Sequence, residues 1–120
     1  MRILVTGGRD WKNKQTVYEA INNEISENPT DDEVIVTGAC PTGADHYAEL
    51  AANIGGVAIE KHPADWKKHG RRAGPIRNAL MVGLGADVCL AFDSGGPGTR
   101  NCIGLARKAG IPVKVFTEDD

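Results

Sequence analysis

The feature that most constrains this chain is its rhythm: short apolar runs alternate with stretches of helical spacing from one end to the other. Ile3-Leu4-Val5 reads as a first strand, Val34-Ile35-Val36 as a second and Val57-Ala58-Ile59 as a third. Val88 to Phe92 and Val113 to Phe116 supply a fourth and a fifth. Between the first two, Val17, Ile21 and Ile25 recur every four residues over about 13–28, which marks one face of a helix. The polar run Pro29-Thr30-Asp31-Asp32 breaks it. A second helix over about 43–53 carries Ala44, Tyr47, Ala48, Ala51 and Ile54 on one stripe, and Gly55-Gly56 ends it. Pro75 is expected to open a third helix, where proline is tolerated, carrying Ile76, Ala79, Leu80 and Leu84. A fourth runs from about Thr99 to Ala109 and is closed by Gly110.

A βα unit repeated in this way predicts an α/β fold: parallel strands joined by right-handed crossovers, with helices on both faces. The strands support that reading. The first, second and fourth are unbroken apolar runs, as strands covered on both faces should be. The third runs quickly into Glu60-Lys61 and the fifth interposes Lys114, so these two read as edges. The expected architecture is a three-layer, Rossmann-like doubly wound sheet of five strands in the order 3-2-1-4-5, formed by residues 1–120 as one domain. In that order the topology reverses between strands 1 and 4. Ligands of open α/β sheets bind at such a reversal, outside the carboxyl ends of the strands.

Fifteen glycines stand in 120 residues, about twice the ordinary share. They gather where the reversal would be. Gly7-Gly8-Arg9-Asp10 follows the first strand, and Asp93-Ser94-Gly95-Gly96-Pro97-Gly98-Thr99 follows the fourth. Each loop leads toward a helix N-terminus, where free N–H groups and the positive end of the helix dipole favour anions. Glycine lets the backbone approach a ligand and adopt positive φ. After the second strand, Gly38 to Gly43 leads into a helix whose first turn holds Asp45, a dipole-favoured acid or an acceptor for a ligand hydroxyl such as a ribose.

The 62–75 segment reads as a long basic loop with Lys67, Lys68, Arg71, Arg72 and Trp66, followed by Gly74, Arg77 and Asn78. Arg77 falls in the first turn of the expected helix, where the dipole disfavours a cation unless an anion faces it. Arg100 opens the next helix in the same way. Trp66 or Trp11 is a candidate cover for a base or ribose.

Several functions are excluded. There is no G-x-x-x-x-G-K-[ST], no G-x-G-x-x-G after the first strand and no G-x-S-x-G elbow. Cysteines and histidines lack metal-ligand spacing, so neither a metal nor another cofactor is expected. The formal net charge of −2 argues against a general nucleic-acid binder. Cys40, Cys89 and Cys102, three in number and scattered, fit reduced thiols in a cytoplasmic protein. No apolar run is long enough to span a membrane and no signal peptide is evident.

Five segments together resemble the SLOG superfamily, the Rossmann-like group that includes the Smf/DprA and LOG proteins. They are Gly7-Gly8-Arg9-Asp10, Gly38 to Asp45, Pro63-Ala64-Asp65-Trp66, Ala73 to Met81, and Ala91-Phe92 through Gly95-Gly96-Pro97-Gly98-Thr99. The likeness is nearest to its small YspA (YpsA-related) branch of phages and bacteria. The resemblance implies a nucleotide or nucleotide-derived ligand with its phosphate on the Gly95–Thr99 loop. It also implies site residues at Gly7, Gly8, Arg9, Asp10, Gly38, Gly43, Asp45, Trp66, Gly74, Arg77, Asn78, Gly95, Gly96, Gly98 and Thr99. LOG proteins cleave nucleotides to base and ribose phosphate with an arginine and a glutamate. Arg77 matches the arginine approximately, but Cys102 stands where the glutamate should be, and a thiol does not replace a carboxylate against oxocarbenium-like charge.

The leading expectation is therefore a nucleotide-binding sensor or regulatory module. The alternative is an N-glycosidic hydrolase or transferase acting on nucleotides, with Asp10, Asp45, Asp93 and Arg77 as candidate catalytic groups. A nucleic-acid accessory protein using the 67–72 cations is a third, less favoured class. So small a domain is also a candidate for homo-oligomerisation.

Overall fold

The computed structural model describes residues 1–118, so the last two residues of the expected 1–120 span lie outside the described residues. Five strands form one sheet: β1 (Arg2–Gly7), β2 (Val34–Thr37), β3 (Ala58–Lys61), β4 (Val88–Phe92) and β5 (Val113–Phe116). All neighbours pair in parallel. The order is β3-β2-β1-β4-β5, as the apolar and charged strand patterns predict. The register fixes the reversal: Ile3 lies beside both Ile35 and Val88, so the chain leaves β1 toward one side for β2 and returns to the other for β4.

Alternation along the strands divides the core into two layers. Ile3, Val5, Ile35, Leu90 and Phe92 pack with α1 (Lys14–Glu27) and α2 (Gly43–Gly55). Leu4, Val36 and Cys89 pack on the other face with α4 (Ala73–Gly83) and α5 (Pro97–Lys108). Helix boundaries have local causes. The Asn13 side chain accepts a hydrogen bond from the Thr16 amide at 3.2 Å and starts α1. Gly56, at φ 68°, ends α2 in the left-handed conformation that a residue with a Cβ resists. At the β5 edge, Lys114 reaches across to pair with Glu24 of α1.

Three expectations are corrected. The 62–75 segment is not a continuous loop. Asp65 Oδ1 accepts from the Lys68 amide at 3.1 Å and nucleates a short helix, α3 (Trp66–His69), followed by a 3₁₀ turn over Gly70–Arg72. Helix α4 therefore begins at Ala73, not at Pro75. Proline is tolerated as its third residue because the first four N–H groups of a helix have no intrahelical partner. Arg77 accordingly sits in the second turn, and its place is not set by the helix terminus.

The third correction concerns which face of α4 is buried. Ile76, Leu80 and Leu84 are 44%, 54% and 52% exposed. The inward face is Ala73, Gly74, Asn78, Met81 and Val82. Two stripes of α4 have helical spacing, and tertiary contacts choose between them. The buried one offers Asn78, whose amide bonds α5, and Gly74, which lies against the Trp66 ring.

Candidate functional site

The site forms where the loops after β1, β2 and β4 meet, and backbone contacts hold them together. The Gly8 amide donates to the Phe92 carbonyl at 3.1 Å, and the Gly8 carbonyl accepts from the Trp11 and Ala44 amides, each at 3.2 Å. The Thr42 hydroxyl donates to the Arg9 carbonyl at 2.9 Å. Between the β1 and β4 loops, Ser94 Oγ donates to Asp10 Oδ1 at 2.6 Å. That bond holds the Asp10 carboxyl below the usual carboxylate range. The expected neighbourhood of Gly8 and the 94–99 loop is thus present.

The glycines of this rim fall into two kinds. Gly7, Gly8, Gly38 and Gly43 are crowded: Gly7 and Gly43 by backbone and a methyl group, Gly8 and Gly38 by the Ser94 and Arg77 side chains. A Cβ on Gly7 would stand 2.4 Å from the Ala44 methyl, and one on Gly43, at φ 74°, would stand 2.1 Å from the Gly8 carbonyl oxygen. A Cβ on Gly38 would strike the Arg77 guanidinium at 2.3 Å. Gly95, Gly96 and Gly98 have open space in that direction, with nothing within 4 Å. Gly96 is the N-cap of α5 and offers no side-chain cap, as Thr42 offers none to α2. The amides at these two helix starts are left without side-chain partners at the reversal of the sheet.

Above Gly38 lies a charged cluster. Arg77 Nη1 donates to the Gly38 carbonyl at 2.7 Å and to the His62 carbonyl at 3.4 Å, while Nε donates to Asn78 Oδ1 at 2.8 Å. These bonds carry the guanidinium over the end of β2. Asp45 is buried and its Oδ2 accepts from the Cys40 amide at 3.2 Å. Burial pushes its carboxyl up to about 6, against the pull of the Cys40 amide and of Arg77. Asn78 Nδ2 donates to the Gly98 carbonyl at 3.2 Å and to Asn101 Oδ1 at 3.1 Å, which ties α4 to the start of α5. Thr99 is buried in the first turn of α5.

The outer wall is Trp66, 48% exposed. Its ring lies against Gly74, where a Cβ would stand 3.4 Å from Cη2, and the Arg9 guanidinium lies over the ring at 5.3 Å. Trp11 is not a wall of the site. It is 1% exposed, packs its ring edge-on to Phe92 and donates from Nε1 to the Asn13 carbonyl at 2.8 Å. The large ring following the first glycine loop is claimed by the core.

Other candidates are partly committed elsewhere. Asp93 Oδ1 accepts from the Gly95 amide at 2.8 Å, and Oδ2 lies 3.7 Å from Arg100 Nε. Arg100 is thus paired within its own loop and helix. Cys102 is fully buried against Cys89, whose thiol is pushed up by the hydrogen bond with Cys102 and by burial. The position of the missing glutamate therefore belongs to the core. Ser94 and Thr42 were not singled out from the sequence, yet they join the loops. The signal for Ser94 was its place inside a glycine-rich loop. Of two surface hollows, one lies at the opposite rim beside Met1, Glu24 and Asp87, and the other runs along α5 beside Val115 and reaches the rim at Asp93 and Arg100. Among the described residues no group of His, Cys, Asp or Glu is arranged to hold a metal ion, and no helix is long and apolar enough to cross a membrane.

The chain is 45% identical to the gene 61 protein of Mycobacterium phage D29, over 96% of this chain and 95% of that protein. The family model described as YspA, cpYpsA-related SLOG (YAcAr) matches residues 1–69, which hold the first two glycine segments, Asp45 and Trp66. With both the first half of the sheet and nearly the whole length accounted for, the chain belongs to the YspA, cpYpsA-related SLOG family.

Proposed function

We propose that this protein binds a nucleotide or nucleotide-derived ligand at the sheet reversal, as a sensor or regulatory module. The observation that carries this reading is the α5 start. It is uncapped, faces open space at Gly95, Gly96 and Gly98, and is joined to the β1 loop by Ser94 and Asp10. Backbone N–H groups of the 96–99 turn would receive a phosphate. Arg77 Nη2, which has no hydrogen bond among the described residues, would supply the charge-assisted partner. Membership in the SLOG family supports a nucleotide-related ligand.

The test is a thermal-shift and calorimetric screen with nucleoside mono-, di- and triphosphates and ribose 5-phosphate at millimolar concentration. A ligand at a hundredfold excess over its Kd stabilises the fold by about 2.7 kcal/mol, which a melting curve resolves readily. If no phosphate-bearing compound raises the melting temperature, the reading fails.

A second reading, N-glycosidic cleavage of a nucleotide, is favoured by Asp45 alone. A carboxyl held near 6 beside an arginine is suited to proton transfer to a leaving base. Asp10 is engaged by Ser94, and Asp93 by the Gly95 amide and Arg100. Incubation with nucleoside monophosphates and chromatography for free base decides it. Release that is abolished in Asp45→Asn supports this reading, and an absence of free base removes it.

A further inference from the structure

Trp66 is the one aromatic ring among the large apolar side chains that the fold leaves half-exposed among the described residues. It is half-exposed in a segment that also holds Lys67, Lys68, Arg71 and Arg72, none of which has an ion-pair partner among the described residues. Its ring is nevertheless seated. One side rests on Gly74 of α4, and Arg9 covers the ring at 5.3 Å.

Two chains of contact lead from this ring to the α5 start. Through α4, Gly74 lies one turn before Asn78, a rise of about 6 Å, and Asn78 bonds the Gly98 carbonyl. Through the β1 loop, Arg9 follows Gly8, and a Cβ on Gly8 would fall 1.7 Å from Ser94 Oγ. The ring and the open amides are thus tied to each other by two paths of direct contact within the protein.

We propose that Trp66 is the seat of an aromatic base, that Arg9 covers it in the ligand-free protein, and that the ligand is therefore a nucleobase-bearing compound rather than a bare sugar phosphate. This rests on the phosphate site proposed above. Magnitudes favour exchange of the cover. An exposed cation–π contact is weaker than the stacking of a base on an aromatic side chain. A base therefore displaces the guanidinium from the ring. The Arg9 side chain, freed from the ring, remains beside the bound ligand as a cation, its backbone still held by Thr42.

The experiment compares AMP, GMP, CMP and UMP with ribose 5-phosphate, by calorimetry and by intrinsic fluorescence. The protein has two tryptophans, and only Trp66 is accessible, since Trp11 is buried. At least one nucleoside monophosphate is expected to bind about 10- to 100-fold tighter than ribose 5-phosphate and to quench the emission. Trp66→Ala should lower that nucleotide to the affinity of the sugar phosphate and leave the sugar phosphate unchanged. Trp66→Phe should keep most of the affinity and lose the quench. If nucleotide and sugar phosphate bind alike and Trp66→Ala alters neither, the base seat is overturned while the phosphate site stands. Binding of neither overturns both. Should Trp66→Ala fail to fold, the ligand comparison and the quench in the unaltered protein decide the matter.

Discussion

The crowded glycines of the β1 and β2 loops and the open glycines of the β4 loop look alike as sequence, yet they do different work. Gly7 and Gly43 stand against backbone and a methyl group at distances no Cβ tolerates, and Gly8 and Gly38 against the Ser94 and Arg77 side chains, so the four build the floor on which the three loops converge. Gly95, Gly96 and Gly98 meet nothing, so their lack of side chains leaves the backbone of the α5 start accessible. A glycine cluster at a sheet reversal is therefore not one signal. Half of this one is packing, and half is a surface that another molecule can reach.

The sharpest way to break the comparison is Gly43→Ala. It combines a positive φ with a Cβ 2.1 Å from a carbonyl oxygen, and should cost about 3 kcal/mol or more. A denaturant midpoint within experimental error of wild type would show that the floor yields and that the two kinds of glycine do not differ.

Next in size is the charged part of the floor. Asp45 titrates at about 6 in the fold against an ordinary 3.8. Its raised value means that the folded state holds the proton more tightly than the unfolded one. Stability from this group is thus complete below pH 3.8 and declines as the pH rises through 6, by about 3 kcal/mol in all. Glu60 acts in the opposite sense. Its bonds with Arg2 and His62 depress it to about 2 from 4.5, and its contribution is lost as the pH falls through that lower window. Urea titrations of Asp45→Asn and wild type between pH 4.5 and 7.5 should therefore diverge in favour of the variant as the pH rises. Parallel curves would remove the buried carboxyl from the account.

The open cluster should respond in the reverse way. Gly98 lies inside α5 with free space at its Cβ position. Gly98→Ala is expected to raise stability by about 0.5 kcal/mol through helix propensity. It should also weaken any phosphate ligand, because a methyl group then occupies the approach. Smallest of all, Leu80→Lys on the exposed stripe of α4 should leave stability within about 0.5 kcal/mol of wild type. A loss of 2 kcal/mol or more would mean that this face is covered in solution.

The strand order was legible because burial leaves its mark on composition. Strands covered on both faces must be apolar throughout, as Ile3 to Val5 and Val88 to Phe92 are, and edges tolerate Glu60 and Lys114. The meeting of the loops after β1 and β4 followed from that order. What the sequence did not disclose was side-chain choice among equivalent patterns. Helix α4 carries two stripes of helical spacing, and only the packing of Asn78 against α5 and of Gly74 against Trp66 selects one. Trp11 and Trp66 each follow a loop of the rim. Their opposite fates depend on whether Phe92 is within reach. The short α3 was hidden because a single capping carboxylate, Asp65, decides it.

The bonds that link Gly8 to Phe92 and Ala44, Thr42 to Arg9, and Ser94 to Asp10 all run between parts of the protein, with no incoming molecule needed to complete them. The cradle is consequently assembled before anything arrives. Little ordering entropy remains to be lost on association, so exchange of the Gly8, Trp11 and Ala44 amides should be slow and equally slow in the empty and the occupied protein, with the mobility that does change confined to the Arg9 side chain.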